Sequence, residues 1–430
     1  MKLLLKGGRV IDPTQQIDEI TDILIVDGRI AALGRELDKQ AESGTAARVI
    51  DATSKIVVPG LVDIHVHLRE PGFEYKETIA SGSEAAAAGG FTSIACMPNS
   101  KPINDNRSVT EYILRKAALC GLVRVYPIAA VSKGSDGSVL AEYGDLWEAG
   151  AVAFSDDGKA VTNSALMLGA MEYAASYGLP VISHCEDTNL SAGTVINEGL
   201  ASAETGLGGG PSIAEDIMVA RDILIAEYTG QAVHIAHVST AGSVRLIREA
   251  KSRGVRVTAE TAPHYFTLTD DAVRGFDSNA RVNPPLRSPG DVTAIKEGLR
   301  DGTIDAIATD HAPHGITDKE VEFEAAASGI SGLETSLGLS LRLVDDGTLT
   351  LSQLIDCMTG KPSRILNLPG GTLKVGAAAD LTVIDLNLPW TVDPANFRSK
   401  GRNTPFRGWD LRGKAIMTIL GGEIKWAENS

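Results

Sequence analysis

The residues best suited to chemistry lie in one short run, Gly60-Leu61-Val62-Asp63-Ile64-His65-Val66-His67-Leu68-Arg69-Glu70-Pro71-Gly72. An apolar strand carries histidines at i and i+2, then an arginine and a Pro-Gly turn. Side chains two apart on a strand point to the same side of the sheet. His65 and His67 can therefore share one metal ion at the strand's end, with Arg69 beyond them at the mouth. A lone HxH is more often a chance pair than a site. Here the other six of the eight histidines also fall in short motifs at strand ends. These are Ser183-His184-Cys185-Glu186-Asp187, His234-Ile235-Ala236-His237, Ala262-Pro263-His264 and Asp310-His311-Ala312-Pro313-His314. Histidines that only filled a core would not gather in this way.

The elements that must position these residues alternate. Near-continuous Val/Ile/Ala runs at 61–67, 91–97, 123–130, 151–155, 180–184, 232–237, 255–260 and 304–309 read as parallel strands buried on both faces. Helical segments at 76–88, 107–119, 164–177, 213–229, 241–252 and 291–300 separate them, several opening on a cap such as Asn106, Asn163 or Ser212. Eight strand–helix units predict a (β/α)8 barrel, whose active sites sit at the C-terminal ends of the strands. On that frame His65 and His67 end strand 1, Asn99 follows strand 2, and Asp156-Asp157 follow strand 4. His184 ends strand 5, His237 ends strand 6, His264 follows strand 7 and Asp310 ends strand 8. All of them face one rim.

Both termini read as short strands and turns: Leu3-Leu4-Leu5, Arg9-Val10-Ile11, Asp22 to Val26 and Arg48-Val49-Ile50 at one end, Leu381 to Ile384, Ala415 to Leu420 and Glu423 to Trp426 at the other. Neither end carries enough apolar area for a core of its own. We expect residues 1–54 and 366–430 to join in one small β-sandwich domain beside a barrel at 55–365. A formal charge of −15 without any basic run argues against nucleic acid or anionic membrane as a partner, and no apolar run suits a signal peptide or membrane span. Cys96, Cys120, Cys185 and Cys357 lack CxxC spacing and read as reduced thiols of a cytoplasmic protein. Cys185 is read as a small buried side chain rather than as a ligand.

Four fragments carry a resemblance: Asp63-Ile64-His65-Val66-His67-Leu68-Arg69-Glu70-Pro71-Gly72, Met97-Pro98-Asn99, Phe154-Ser155-Asp156-Asp157-Gly158, and Thr309-Asp310-His311-Ala312-Pro313-His314. In this order they resemble the amidohydrolase superfamily, and within it dihydroorotases of the longer bacterial type. The resemblance implies two zinc ions bridged by a hydroxide, although ligand type alone also suits Mn, Co or Fe. It places His65, His67 and Asp310 on the inner metal and His184 and His237 on the outer one. Asp157 matches the bridging position, where many superfamily members have a carboxylated lysine. Alternation turns Asp156 to the opposite face, and Lys159, beyond Gly158, is the alternative bridge. Two zinc ions, two aspartates and a hydroxide leave a net positive site, suited to an anion.

The implied reaction is the reversible closure of N-carbamoyl-L-aspartate to dihydroorotate, the third step of de novo pyrimidine biosynthesis, with Asp310 moving the proton. Arg69 is the natural partner of the substrate carboxylate. The family pattern adds His67, Asn99 and His314 to that pocket, Asn283 to the pyrimidine ring, and Ser328 and Gly329 to the substrate side. Ala325-Ala326-Ala327 departs from the aromatic and proline residues common there. His264 is read either as tuning the site or as a hydrogen-bonded loop residue, and 311–332 either as a mobile lid or as a static loop. A dihydropyrimidinase, hydantoinase or allantoinase would share the metal site, but uncharged substrates give no reason for a carboxylate pocket. A metal-free barrel serving only as scaffold for aspartate carbamoyltransferase would be expected to have lost ligands retained here. A homodimer is expected, with aspartate carbamoyltransferase as a further partner.

Overall fold

The computed structural model describes residues 2–42 and 47–428. Eight parallel strands form its centre: β1 (Leu61–Val66), β2 (Phe91–Cys96), β3 (Arg124–Pro127), β4 (Phe154–Ser155), β5 (Val181–Ser183), β6 (Val233–Ile235), β7 (Val257–Thr261) and β8 (Ala306–Ile307). β1 to β3 pair in order, as do β4 to β8. Two parallel bridges, Ala129 to Phe154 and Val66 to His311, join the sets into a closed barrel. These are the strands expected from the sequence, most of them trimmed at the ends. Small and β-branched side chains such as Val62, Ile64, Ala95, Ile182 and Ala306 fill the interior, as a barrel with helices on its outside requires.

The register between first and last strands is held by a buried carboxylate. Asp63 accepts from the backbone N of Thr309 at 3.1 Å and from its hydroxyl at 2.5 Å, and His67 N donates to His311 O at 2.8 Å. The HxH pair and Asp310 are thereby set against each other by the ladder itself.

The helices follow the expected alternation, with extra ones at Tyr143–Ala149 and Ser336–Asp345. Asn106 and Asn163 cap as read, accepting from Val109 N and from Ala165 N and Leu166 N. Ser212 does not. Its backbone is already helical (φ −58°, ψ −29°) and its side chain makes no cap bond, because capping needs an extended residue whose oxygen can turn back to the first free N–H groups. Among the described residues no helix is long and apolar enough to cross a membrane.

The termini meet in one mixed sheet of eight strands, in the order 423–427, 410–420, 381–391, 56–59, 2–12, 17–26, 29–34, with 48–51 also paired to 2–12. Leu3-Leu4-Leu5 and Arg9-Val10-Ile11, read as separate runs, are one strand with a register shift between Leu5 and Gly8. Gly7, at φ 72°, makes the shift possible. Leu3, Leu5, Val10, Ile23, Val57, Leu381 and Ile419 form its core. We propose the division at 54/55 and 365/366 as the domain boundary. Strand Ile56–Pro59 pairs across that line with residues 381–384 and 9–10, so the chain passes from one unit to the other where this strand runs on into β1.

Candidate metal centre and substrate pocket

A cavity of about 400 Å³ opens at the C-terminal ends of the barrel strands. Its floor holds the residues the sequence singled out. His65 lies on β1 and His67 just past its end, Asp157 follows β4, His184 follows β5, His237 follows β6 and Asp310 follows β8, all buried. His237 and Asp310, at φ 34° and 47°, are non-glycine residues in the left-handed region. Such strained backbone persists only where the surroundings hold it, and it concentrates at functional sites.

Asp157 stands between two groups. Its Oδ2 lies 3.4 Å from His65 Nε2 and 3.5 Å from His67 Nε2, and its Oδ1 lies 3.3 Å from His237 Nε2 and 3.7 Å from His184 Nδ1. Asp310 Oδ1 lies 3.0 Å from His67 Nε2 and 3.4 Å from His65 Nε2. His184 Nδ1 is 2.8 Å from His237 Nε2. Two ligand sets thus converge, His65 with His67 and Asp310, and His65 with Asp157 and His237. His65 Nε2 and Asp157 Oδ1 are buried without a hydrogen-bond partner, the state expected of metal-facing atoms. Charge agrees. Burial lowers His65 and His184, yet Asp157, Glu260 and Asp310 raise His65 well above its ordinary value, and Asp157 and Glu186 raise His184 to about 10. The floor calls for positive charge, and its imidazole and carboxylate atoms fit a pair of divalent cations.

Asp156 turns away, accepting from Ser132 N at 3.1 Å and its hydroxyl at 2.5 Å. Lys159 Nζ donates to Ser135 O at 3.1 Å. Cys185 is buried, with its thiol pushed well up by burial. His264 is buried with Nε2 unpartnered, and burial lowers it to about 4.

The rim carries the other expected residues. Arg69, Asn99, Asn283, His314, Ser328 and Gly329 all line the cavity. Asn99 Oδ1 is 2.9 Å from His67 Nδ1. Arg69, brought down to about 10 by burial and so still charged at neutral pH, donates from Nε to Pro313 O at 3.2 Å. His314 Nε2 lies 2.9 Å from Ser328 O, which only accepts, so that nitrogen carries the proton. Its Nδ1 faces Lys76 Nζ at 3.2 Å. Burial, with Arg69, Lys76 and Lys319 nearby, pushes His314 down to about 2 and keeps it neutral. Gly329, at φ 143°, admits no side chain: a β-carbon would lie 2.6 Å from Ala312 Cβ and 3.2 Å from His314 Nε2.

Sequence reasoning missed three partners of these groups. Glu260, at the inner end of β7, lies 2.5 Å from His65 Nδ1, and His65 and His234 outweigh its burial to hold it at about 2. Glu186 lies 2.9 Å from His184 Nε2 and accepts from Asn283 at 3.1 Å. Lys76 is the third. A glutamate inside an apolar strand was the available signal for Glu260, since buried carboxylates need cationic partners.

Two family models match the chain: "Dihydro-orotase-like" over residues 54–243 and "Amidohydrolase family" over residues 217–425. A dihydroorotase of Syntrophus aciditrophicus is 63% identical over 429 residues, covering 100% of both chains. The chain belongs to the dihydroorotase family. A dihydroorotase of Pelotomaculum thermopropionicum is 59% identical, over 99% of this chain and 98% of that one. Among solved structures, an L-hydantoinase (dihydropyrimidinase) from Arthrobacter aurescens superposes with a TM-score of 0.86 at 28% identity, covering 98% of this chain and 95% of the other. This chain and that L-hydantoinase therefore share the overall fold.

Proposed function

We propose that this dihydroorotase closes N-carbamoyl-L-aspartate to (S)-dihydroorotate with loss of water, and reverses that step, using two zinc ions held by His65, His67, Asp157, His184, His237 and Asp310. Metal ions bound there supply a water of lowered pKa and a Lewis acid for the reacting carbonyl. The chain's own groups do the rest. Asp310, held well below the usual carboxylate range because His65, His67 and His237 outweigh its burial, is ionised and placed to take the proton of the attacking water. It returns that proton to the ring nitrogen, which leaves only when protonated. Glu260 and Glu186 fix the faces that His65 and His184 turn to the cavity. Arg69 takes the substrate carboxylate as a two-pronged donor, Asn99 and the His314 ring stand beside it, and Asn283, Ser328 and Gly329 bound the ring of the substrate.

The observation that carries the substrate reading is the Arg69–His314 pair on the rim, 3.4 Å apart. A neutral cyclic amide would leave that charge unmatched. A turnover assay with dihydroorotate and N-carbamoyl-L-aspartate, beside hydantoin and dihydrouracil, tests it: preference for the neutral pair would replace this reading. A cytoplasmic homodimer that associates with aspartate carbamoyltransferase is carried by the family resemblance alone, and sedimentation with and without that transferase checks both associations.

A further inference from the structure

The carboxylate side of the cavity is finished by a segment of chain far from the barrel. Asn403, only 4% exposed, spends its whole side-chain amide on the loop after β8. Its Nδ2 donates to Ala312 O at 3.0 Å and Gly329 O at 2.9 Å, and its Oδ1 accepts from His314 N at 2.8 Å. Its own carbonyl accepts from Ser331 N at 2.8 Å. Ser331 Oγ lies 2.9 Å from Gly401 O and 3.0 Å from Asn403 Oδ1. One amide thus ties the stretch carrying His314 to the stretch carrying Gly329, the two that lie side by side at the rim, where His314 Nε2 is 2.9 Å from Ser328 O.

The segment that delivers Asn403 is itself anchored on two carboxylates, the buried Glu77 and the half-buried Glu334. Glu77 accepts from the Ser399 hydroxyl at 2.5 Å and from Lys400 N at 3.2 Å. Glu334 accepts from Arg398 N at 2.8 Å and Ser399 N at 3.0 Å. Between anchors and amide, Gly401 packs so closely on Pro313 and His314 that a β-carbon would collide with Pro313. Glu77 also neighbours Lys76, which faces the second nitrogen of His314.

We propose that residues 398–403 are a strap that sets the carboxylate-binding geometry, with Asn403 as a positioning residue acting on substrate affinity through His314, Ser328 and Gly329. It rests on the dihydroorotase reading above. Nothing in the strap reaches the metal-facing atoms, so binding and chemistry should separate. Asn403→Ala leaves two carbonyls and one N–H buried without partners. The KM for dihydroorotate should rise about 10- to 100-fold, the worth of such unmade bonds, while kcat changes less than about threefold and bound metal stays at the wild-type level. Ser331→Ala, a milder cut in the same clamp, should raise KM by about 3- to 10-fold with the same split, and it decides the matter if Asn403→Ala does not fold. A wild type that turns over dihydroorotate beside a folded variant of unchanged KM overturns the strap alone, as does a fall in kcat and metal content at constant KM. A wild type without dihydroorotate turnover overturns the functional reading, and the strap's assignment to this substrate falls with it.

Discussion

The floor and the rim of the cavity hold similar sets of polar residues, but different parts of the chain fix them. On the floor, His65, His67, His184, His237, Asp157 and Asp310 stand at or just past the ends of barrel strands, and the parallel ladder sets their spacing. On the rim, Arg69, Asn283, His314, Ser328 and Gly329 stand on loops. Their positions depend on side chains brought from elsewhere, Lys76 on His314, Glu186 on Asn283 and Asn403 on the two ends of the 312–331 segment. The arrangement lets affinity and specificity change on the rim while the reactive geometry below stays tied to the barrel. The similarity of the fold to a hydantoinase at low identity fits that division.

The comparison breaks most severely at the floor. Chelation should abolish turnover and Zn²⁺ should restore it, because free water, with a pKa of about 15.7, offers no nucleophile at neutral pH. Asp157→Ala should lose at least one of two ions with nearly all activity, whereas Lys159→Ala should keep both. Metal analysis beside the assay checks this, and full activity in a metal-free protein would refute the floor's assignment.

Asp310→Asn should lower kcat by about 10²- to 10⁴-fold, the usual contribution of a general acid–base group, with an unchanged circular dichroism spectrum. Wild-type rates would move the proton transfer to another group.

On the rim, Arg69→Met should cost dihydroorotate turnover about 3 kcal/mol or more in kcat/KM, by analogy with a broken buried ion pair. Both metal ions should stay bound, and activity toward dihydrouracil should change much less. Equal losses on the two substrates would erase the distinction between floor and rim.

The smallest effect is expected just behind the floor. Asp156→Ala should keep both metals and most activity, and lose about 1–3 kcal/mol of stability in urea titration, because Ser132 N and Oγ are left without their acceptor. A metal-free Asp156→Ala protein would exchange the roles of the two aspartates.

How much of this could be read from the sequence follows the same line. The floor was legible because its signals are local: HxH spacing sets two imidazoles on one face, and alternation decides between Asp156 and Asp157. The barrel was legible from eight apolar runs with helical segments between them. Arg69 and His314 were found through their nearness to metal-site motifs. Glu260, Lys76 and Asn403 were not, since their contacts to His65 and His314 span 195, 238 and 89 residues, and no periodicity reports a single distant hydrogen bond. Ser212 and Gly7 show the limit at short range. A cap depends on whether its own backbone is extended, and a register shift depends on the partner strand; neither is written in residue type alone.

The long reach of Asn403 also orders the molecule in time. A chain emerging from the ribosome has presented every metal-facing side chain once Asp310 is out, and β8 can then close against β1. The amide that joins His314 to Gly329 comes 89 residues after His314. During synthesis the side chains of the floor have thus all emerged before the amide that braces the rim.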